Sequence, residues 1–183
     1  MTALQRIYYA YYTSPIGELL MLSDGERLTN LDFELEQIAP NPKWIERADL
    51  PLFIQVQQTL DRYFAGEPET FASIPLAPQG TTFQQRIWAE LCKIGYGEIS
   101  SYGELAQRID NPKAVRAIGG AVGSNPISII IPCHRVLGKK REITGFGGGL
   151  PAKRFLLQLE HIPFVDKGVE YVKQKLLKKY TAL

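Results

Sequence analysis

Pro132-Cys133-His134-Arg135-Val136 sets a thiol beside an imidazole and a guanidinium. Sulfur attacks as the thiolate, and neighbouring cations favour that form, so the segment can perform nucleophilic attack at an electrophilic centre. Adjacent side chains diverge, and a direct Cys133–His134 hydrogen bond is not assured. A relay through a water, with His134 oriented by a carboxylate, suits the spacing better. Glu160, in the stretch FLLQLEH, is the nearest helix-borne carboxylate; it equally suits a surface position or a partnership with Arg154. The relay predicts a larger thiolate fraction on Cys133 than in a free thiol, whose pKa is about 8.5. Cys92 falls inside a helical pattern and reads as a small buried hydrophobe. With 2 Cys and 2 His in 183 residues, neither a disulfide framework nor a closed zinc site is expected, and the default compartment is reducing and intracellular.

The elements around the cysteine follow from periodicity and caps. Ile127 and Ile129–Ile131 form a β-branched run, predicting a buried strand or extended segment that delivers Cys133 to a pocket. Upstream, Thr82-x-x-Gln85 reads as a capping box opening a helix with Phe83, Ile87, Leu91 and Ile94 on one face. Ser101-x-x-Glu104 opens a short helix carrying Leu105, Ala106 and Ile109. Asp110-Asn111-Pro112 breaks it and caps a third helix over 113–122. Two short helices across a tight turn make a candidate helix-turn-helix, a pairing also common in ordinary helical domains. The third helix is rich in Ala114, Ala117, Gly119, Gly120 and Ala121. Small residues there suit either tight helix packing or close approach of a nucleic-acid backbone, with Arg116 projecting into it. Downstream, Gly145–Gly149 reads as a flexible turn or as a pocket-lining loop.

The first third reads as β-structure: strands over 7–12, 18–23 and 28–33, with Ser14-Pro15-Ile16-Gly17 and Asp24-Gly25 as turns. A helix follows Pro51, with Leu52, Phe53, Val56, Leu60 and Phe64 in phase and Gly66 as its stop. The expected organisation is an N-terminal α/β domain over 1–66, a proline-rich linker over 67–80, a second domain over 81–165 and a basic tail over 166–183. Composition is that of an ordinary globular chain, 45% hydrophobic and 22% charged, which argues against disorder and coiled coil. No apolar run of ~18 residues suggests a membrane span, and the N-terminus lacks a signal-peptide layout. Net charge is −6 over residues 1–80 and +8 over 81–183. Such asymmetry fits a polyanion partner for the second half, or chance plus the lysines of the tail.

The stretch NPKAVRAIGGAVGSNPISIIIPCHRV, followed by TGFGGGLPAKRFLLQLE, closely resembles the O6-alkylguanine-DNA alkyltransferases, over most of residues 81–162. The N-terminal third is similar only in its Ser-Pro-Ile-Gly turn and strand pattern. The resemblance implies a small, mostly antiparallel sheet domain with a helix, followed by a helical winged helix-turn-helix domain. It implies DNA repair by single-turnover transfer of methyl and larger groups from guanine O6, with thymine O4 as a further substrate, to a cysteine. On matching positions Cys133 is the acceptor, His134 the water-linked base and Glu160 its orienting acid. Tyr102 contacts the extruded nucleotide and supports guanine protonation. Arg116 fills the gap in the duplex, and Ala117, Gly119 and Arg135 join it at the DNA. Asn125, Val136, Phe146, Gly147, Gly148 and Lys153 belong to the pocket. The implied partner is double-stranded DNA carrying O6-alkylguanine, met through the minor groove by a monomer without metal or cofactor, in the cytoplasm or nucleoid. The alkyltransferase-like DNA-damage readers share this pattern but lack the cysteine, which Cys133 supplies. A thiol hydrolase using Cys133 and His134 would leave the arginine-bearing helix and the basic half unexplained.

Overall fold

The computed structural model describes residues 5–33 and 40–166. Beyond Asp166, the basic tail lies outside the described residues. Strands β1 (Tyr8–Ser14) and β2 (Gly17–Ser23) pair antiparallel, and β3 (Leu28–Phe33) pairs antiparallel with β2. The first turn is closed by Ser14, whose Oγ donates to the Gly17 carbonyl at 2.6 Å, while Gly17 takes a φ of +113° that suits only glycine. A two-residue strand, β4 (Ile45–Glu46), adds in parallel beside β1 and gives the order β3-β2-β1-β4. So short a strand carries no periodicity, and the sequence gives no sign of it.

Helix α1 (Pro51–Phe64) buries Leu52, Phe53, Val56, Leu60 and Tyr63 along one stripe. Segment 67–80 is irregular, as its prolines require, yet it is not a free tether. Leu28 N–H donates to Pro75 O at 2.9 Å, Ala77 N–H donates to Leu28 O at 2.8 Å, and Phe71 and Ile74 are buried.

The second half is mainly helical: α2 (Thr82–Leu91), α3 (Tyr102–Arg108), α4 (Val115–Gly123) and α5 (Leu150–Leu159). The capping box of α2 lies one residue earlier than expected. Thr81 Oγ1 accepts from Gln84 N–H, and Gln84 Oε1 accepts from Thr81 N–H. Tandem Thr and Gln pairs make the two frames equivalent in sequence; Gln85 reaches the Pro78 carbonyl instead. Ser101 caps α3, but the Glu104 carboxylate turns to Ser100 Oγ, so that box closes on one side only. The chain leaves α3 through Asp110 at φ +54° and enters α4 with Ala114 as an N-cap lacking any side-chain bond. Asp110-Asn111-Pro112 therefore breaks one helix without capping the next. Trp88 Nε1 donates to Ala121 O at 2.9 Å and ties α2 to α4. A two-residue parallel ladder joins β5 (Ser100–Ser101) to β6 (Val136–Leu137).

One hydrophobic core runs through both halves, from Ala10 and Leu31 to Ile118, Ile131 and Leu156. The halves also share backbone bonds: Leu31 N–H donates to Pro126 O and Ser128 N–H to Leu31 O, both at 2.9 Å.

Candidate active site

The isoleucine run is buried as expected, but it is not a strand. Asn125 folds it up: its Nδ2 donates to Ile131 O at 2.8 Å, and its Oδ1 accepts from Ile127 N–H at 3.0 Å. Ile131 N–H bonds back to Ile127 O, and Ile129 takes a φ of +69°. This compact loop leads through Pro132 into a single 3-10 turn, Cys133–Arg135. Cys133 thereby lines a cavity of about 410 Å³ together with Tyr102, Arg116, Gly119, Asn125, Thr144, Phe146 and Gly147. That size suits a small organic ligand.

Behind the cysteine lies a buried polar cluster. His134 is fully buried, and its Nε2 meets Glu160 Oε2 at 2.5 Å. Arg135 Nε donates to Glu160 Oε1 at 2.7 Å, Gly97 N–H donates to the same oxygen at 3.1 Å, and Tyr63 Oη donates to Oε2 at 2.6 Å. Burial alone would raise the Glu160 carboxyl, but the bond from His134, the Arg135 guanidinium and the Tyr63 hydroxyl bring it down to about 2. Glu160 is thus ionised and can only accept. His134, whose pKa burial depresses against the pull of Glu160, is neutral and must carry its proton on Nε2. Its Nδ1 is then the basic atom, and it is buried with no protein partner among the described residues. The ring therefore offers one lone pair, on the side away from Glu160.

The Cys133 thiol departs from expectation. Burial raises it, opposed by a bond from Asn125 and the charge of Lys153. Desolvation outweighs both, so the resting group is a thiol beside a neutral imidazole, and a proton acceptor is needed to make the nucleophile. Cys92 also departs: it is exposed at the C-terminal cap of α2 rather than buried.

Other expected positions divide clearly. Arg135 does not face DNA: it is 5% exposed, bonded to Glu160 and, through NH1, to Ile94 O at 2.6 Å. Lying inside the buried turn, it is consumed in holding the acid. Val136 and Lys153 are behind the cavity rather than in its wall. Lys153 Nζ donates to Val136 O at 2.9 Å and contacts Thr144 Oγ1 at 3.2 Å; burial lowers its pKa to about 8. Thr144 in turn meets Tyr102 Oη at 3.2 Å. Burial raises the Tyr102 phenol, keeping it protonated and able to donate. Gly148 does not line the cavity either. A Cβ there would come within 2.7 Å of the Phe33 ring and 2.9 Å of Phe146, so it sits under an edge-to-face pair of rings 5.6 Å apart. The open end of the pocket is at Gly145 and Gly147, where a Cβ would meet nothing within 4 Å.

On α4, Arg116 and Ala117 are exposed, and a Cβ at Gly119 or Gly120 would meet nothing within 4 Å. No helix among the described residues packs on those positions, so close packing within them does not account for the glycines. Sequence reasoning missed Tyr63, Gly97 and Thr144. Nothing local marks Tyr63 or Gly97, whose partner is 97 and 63 positions away; Thr144 joins Lys153, 9 positions on, to Tyr102, 42 positions back.

Residues 82–162 match the family described as "6-O-methylguanine DNA methyltransferase, DNA binding domain", and residues 7–78 match its "ribonuclease-like domain". A methylated-DNA–protein-cysteine methyltransferase of Haemophilus influenzae is 66% identical over 180 residues, covering 98% of this chain and 99% of that protein. The crystal structure of the Mycobacterium tuberculosis O6-methylguanine methyltransferase superposes with a TM-score of 0.76 at 44% identity, covering 84% of this chain and 92% of that one. The same organism's protein in complex with DNA gives a TM-score of 0.75 at 44% identity, over 84% and 93%.

Proposed function

The chain belongs to the 6-O-methylguanine DNA methyltransferases, binds DNA and repairs it by moving an alkyl group onto a cysteine of its own; we propose that this cysteine is Cys133. The observation that carries the assignment is that Cys133 shares one cavity with Tyr102 and Arg116, with the His134–Glu160 pair buried behind it. Cys92 has no such surroundings.

In the proposed mechanism O6-alkylguanine leaves the duplex and enters the cavity, while Arg116 on α4 occupies the space it vacates. The open face of Ala117, Gly119 and Gly120 lets the DNA backbone lie close, which suits minor-groove docking. The Cys133 thiol gives its proton, through one water, to Nδ1 of His134. Glu160 stabilises the imidazolium that forms. The thiolate attacks the alkyl carbon, so a C–S bond forms as the C–O6 bond breaks. The electron pair stays with guanine, where the Tyr102 phenol donates to the developing negative charge. The thioether is not reversed, and each molecule reacts once. Burial gives the step its logic: a thiol kept neutral resists adventitious oxidation, while ionisation is coupled to the relay.

Monomeric action on O6-alkylguanine, with thymine O4 as a second substrate, completes the proposal. A cytoplasmic or nucleoid-associated location follows from the DNA substrate; no helix among the described residues is long and apolar enough to cross a membrane. Intact mass after incubation with an oligonucleotide carrying O6-methylguanine tests the assignment. The expected result is a gain of one methyl group per chain, mapped to Cys133. Labelling at another residue overturns it.

A further inference from the structure

We propose that Tyr63 is a positioning residue for alkyl transfer: its hydroxyl, carried by α1 of the N-terminal half, holds the carboxylate of Glu160 and so sets the basicity of His134. The proposal rests on the relay described above. Its ground is the placement of one hydrogen bond. Tyr63 Oη donates to Glu160 Oε2, the oxygen that also receives His134 Nε2, while Arg135 and Gly97 occupy Oε1. Tyr63 therefore competes with His134 for the same oxygen, 97 positions away in sequence. Its ring is fixed independently of that bond, fully buried against Phe64, Phe71 and Tyr96. The donor is thus held rigidly by the N-terminal half, and the acid it holds stands at the end of α5 in the other half.

The charged and titratable groups around the pair are Tyr63 and Tyr96 beside Glu160, His134 and Arg135 from the 3-10 turn, and Lys153, whose charge also acts on His134. Removing the Tyr63 hydroxyl frees a lone pair on Oε2. The carboxylate becomes more basic toward its remaining partner, and the imidazole gains proton affinity. A His134 protonated at higher pH cannot take the thiol proton, so reactivity is lost on the acid side first.

The test is the pH–rate profile of Cys133 with the free base O6-benzylguanine, in the full chain and below its unfolding temperature. Tyr63→Phe keeps the ring. It is expected to slow the reaction about three- to tenfold near pH 7, with the loss shrinking as pH rises. Tyr96→Phe, which removes a hydroxyl from the same aromatic cluster that bonds Leu159 O and not Glu160, is expected to leave the profile in place. In a Glu160→Gln background, Tyr63→Phe is expected to add little, because the group it acts through has gone. Equal losses in both backgrounds, or the same shift from Tyr96→Phe, would make Tyr63 merely structural and overturn the proposal. If Glu160→Gln alone leaves rate and profile unchanged, the relay is wrong; if Glu160→Gln slows transfer and Tyr63→Phe does not, only the role of Tyr63 is wrong.

Discussion

Two cysteines with opposite surroundings make the simplest prediction at the scale of the residue. Cys133→Ser removes the soft nucleophile and is expected to abolish transfer while leaving DNA binding nearly intact. Cys92→Ser, altering an exposed helix cap, is expected to transfer normally. Stoichiometric methyl labelling of the two variants checks this, and the reverse pattern would reassign the acceptor. Glu160 makes a second prediction, on stability. Its carboxyl titrates at about 2 in the folded chain, against about 4.3 when unfolded. The stabilisation is therefore complete above about pH 4.3 and drains away as pH falls from there toward 2. Melting temperature against pH should fall more steeply over that interval for the wild type than for Glu160→Gln. Parallel curves would mean that the ionised carboxylate does not stabilise the fold.

At the scale of the element, α4 holds the clearest conflict between stability and use. Glycine in a helix interior costs about 1 kcal/mol relative to alanine, and no neighbouring atom lies within 4 Å of a Cβ at Gly119. Gly119→Ala is thus expected to raise the melting temperature while slowing repair of a methylated duplex. A variant that is both more stable and fully active would remove the DNA backbone as the reason for the glycine. Arg116→Ala should slow duplex repair more than reaction with O6-benzylguanine, because only the duplex must be opened. Equal losses would place Arg116 in the pocket chemistry instead. The helices themselves are largely legible, because their apolar phase sets them; α4 starts two residues later than expected, where no side chain caps it, and α2 ends at Leu91, three residues short of Ile94. The isoleucine run was misread because β-branched composition suggests a strand, whereas the Asn125 side chain bonds both ends of the run to itself.

At the scale of the whole molecule, the two halves are joined among the described residues. A core shared by both halves and the Leu31–Ile127 bridge predict a single cooperative unfolding transition, readable by calorimetry. Leu31→Ala, at a fully buried position, should lower stability by about 2–5 kcal/mol. Two separated transitions would show that the halves are independent. The charge split, −6 against +8, predicts DNA affinity that falls steeply with salt, by about 0.9 logarithmic units per tenfold rise in salt for each phosphate neutralised. Reaction with the uncharged free base should barely change over the same range.

Sequence by itself determined the local features: the first three strands and their turns, helical phases, the cysteine with its adjacent imidazole, and the glycine-rich loop. Each depends on residues within a few positions of one another, and short-range sterics and periodicity govern them. Tertiary structure alone decided what the reactive groups are. Adjacency suggested an activated thiolate, yet enclosure makes Cys133 a thiol at rest, because desolvation exceeds the help from Asn125 and Lys153. The family resemblance placed Arg135 at the DNA, but the fold turns it inward onto Glu160. Tyr63 and Gly97 converge on that carboxylate from 97 and 63 positions away. Dielectric environment and long-range hydrogen bonding are properties of the packed chain, and no local pattern encodes them.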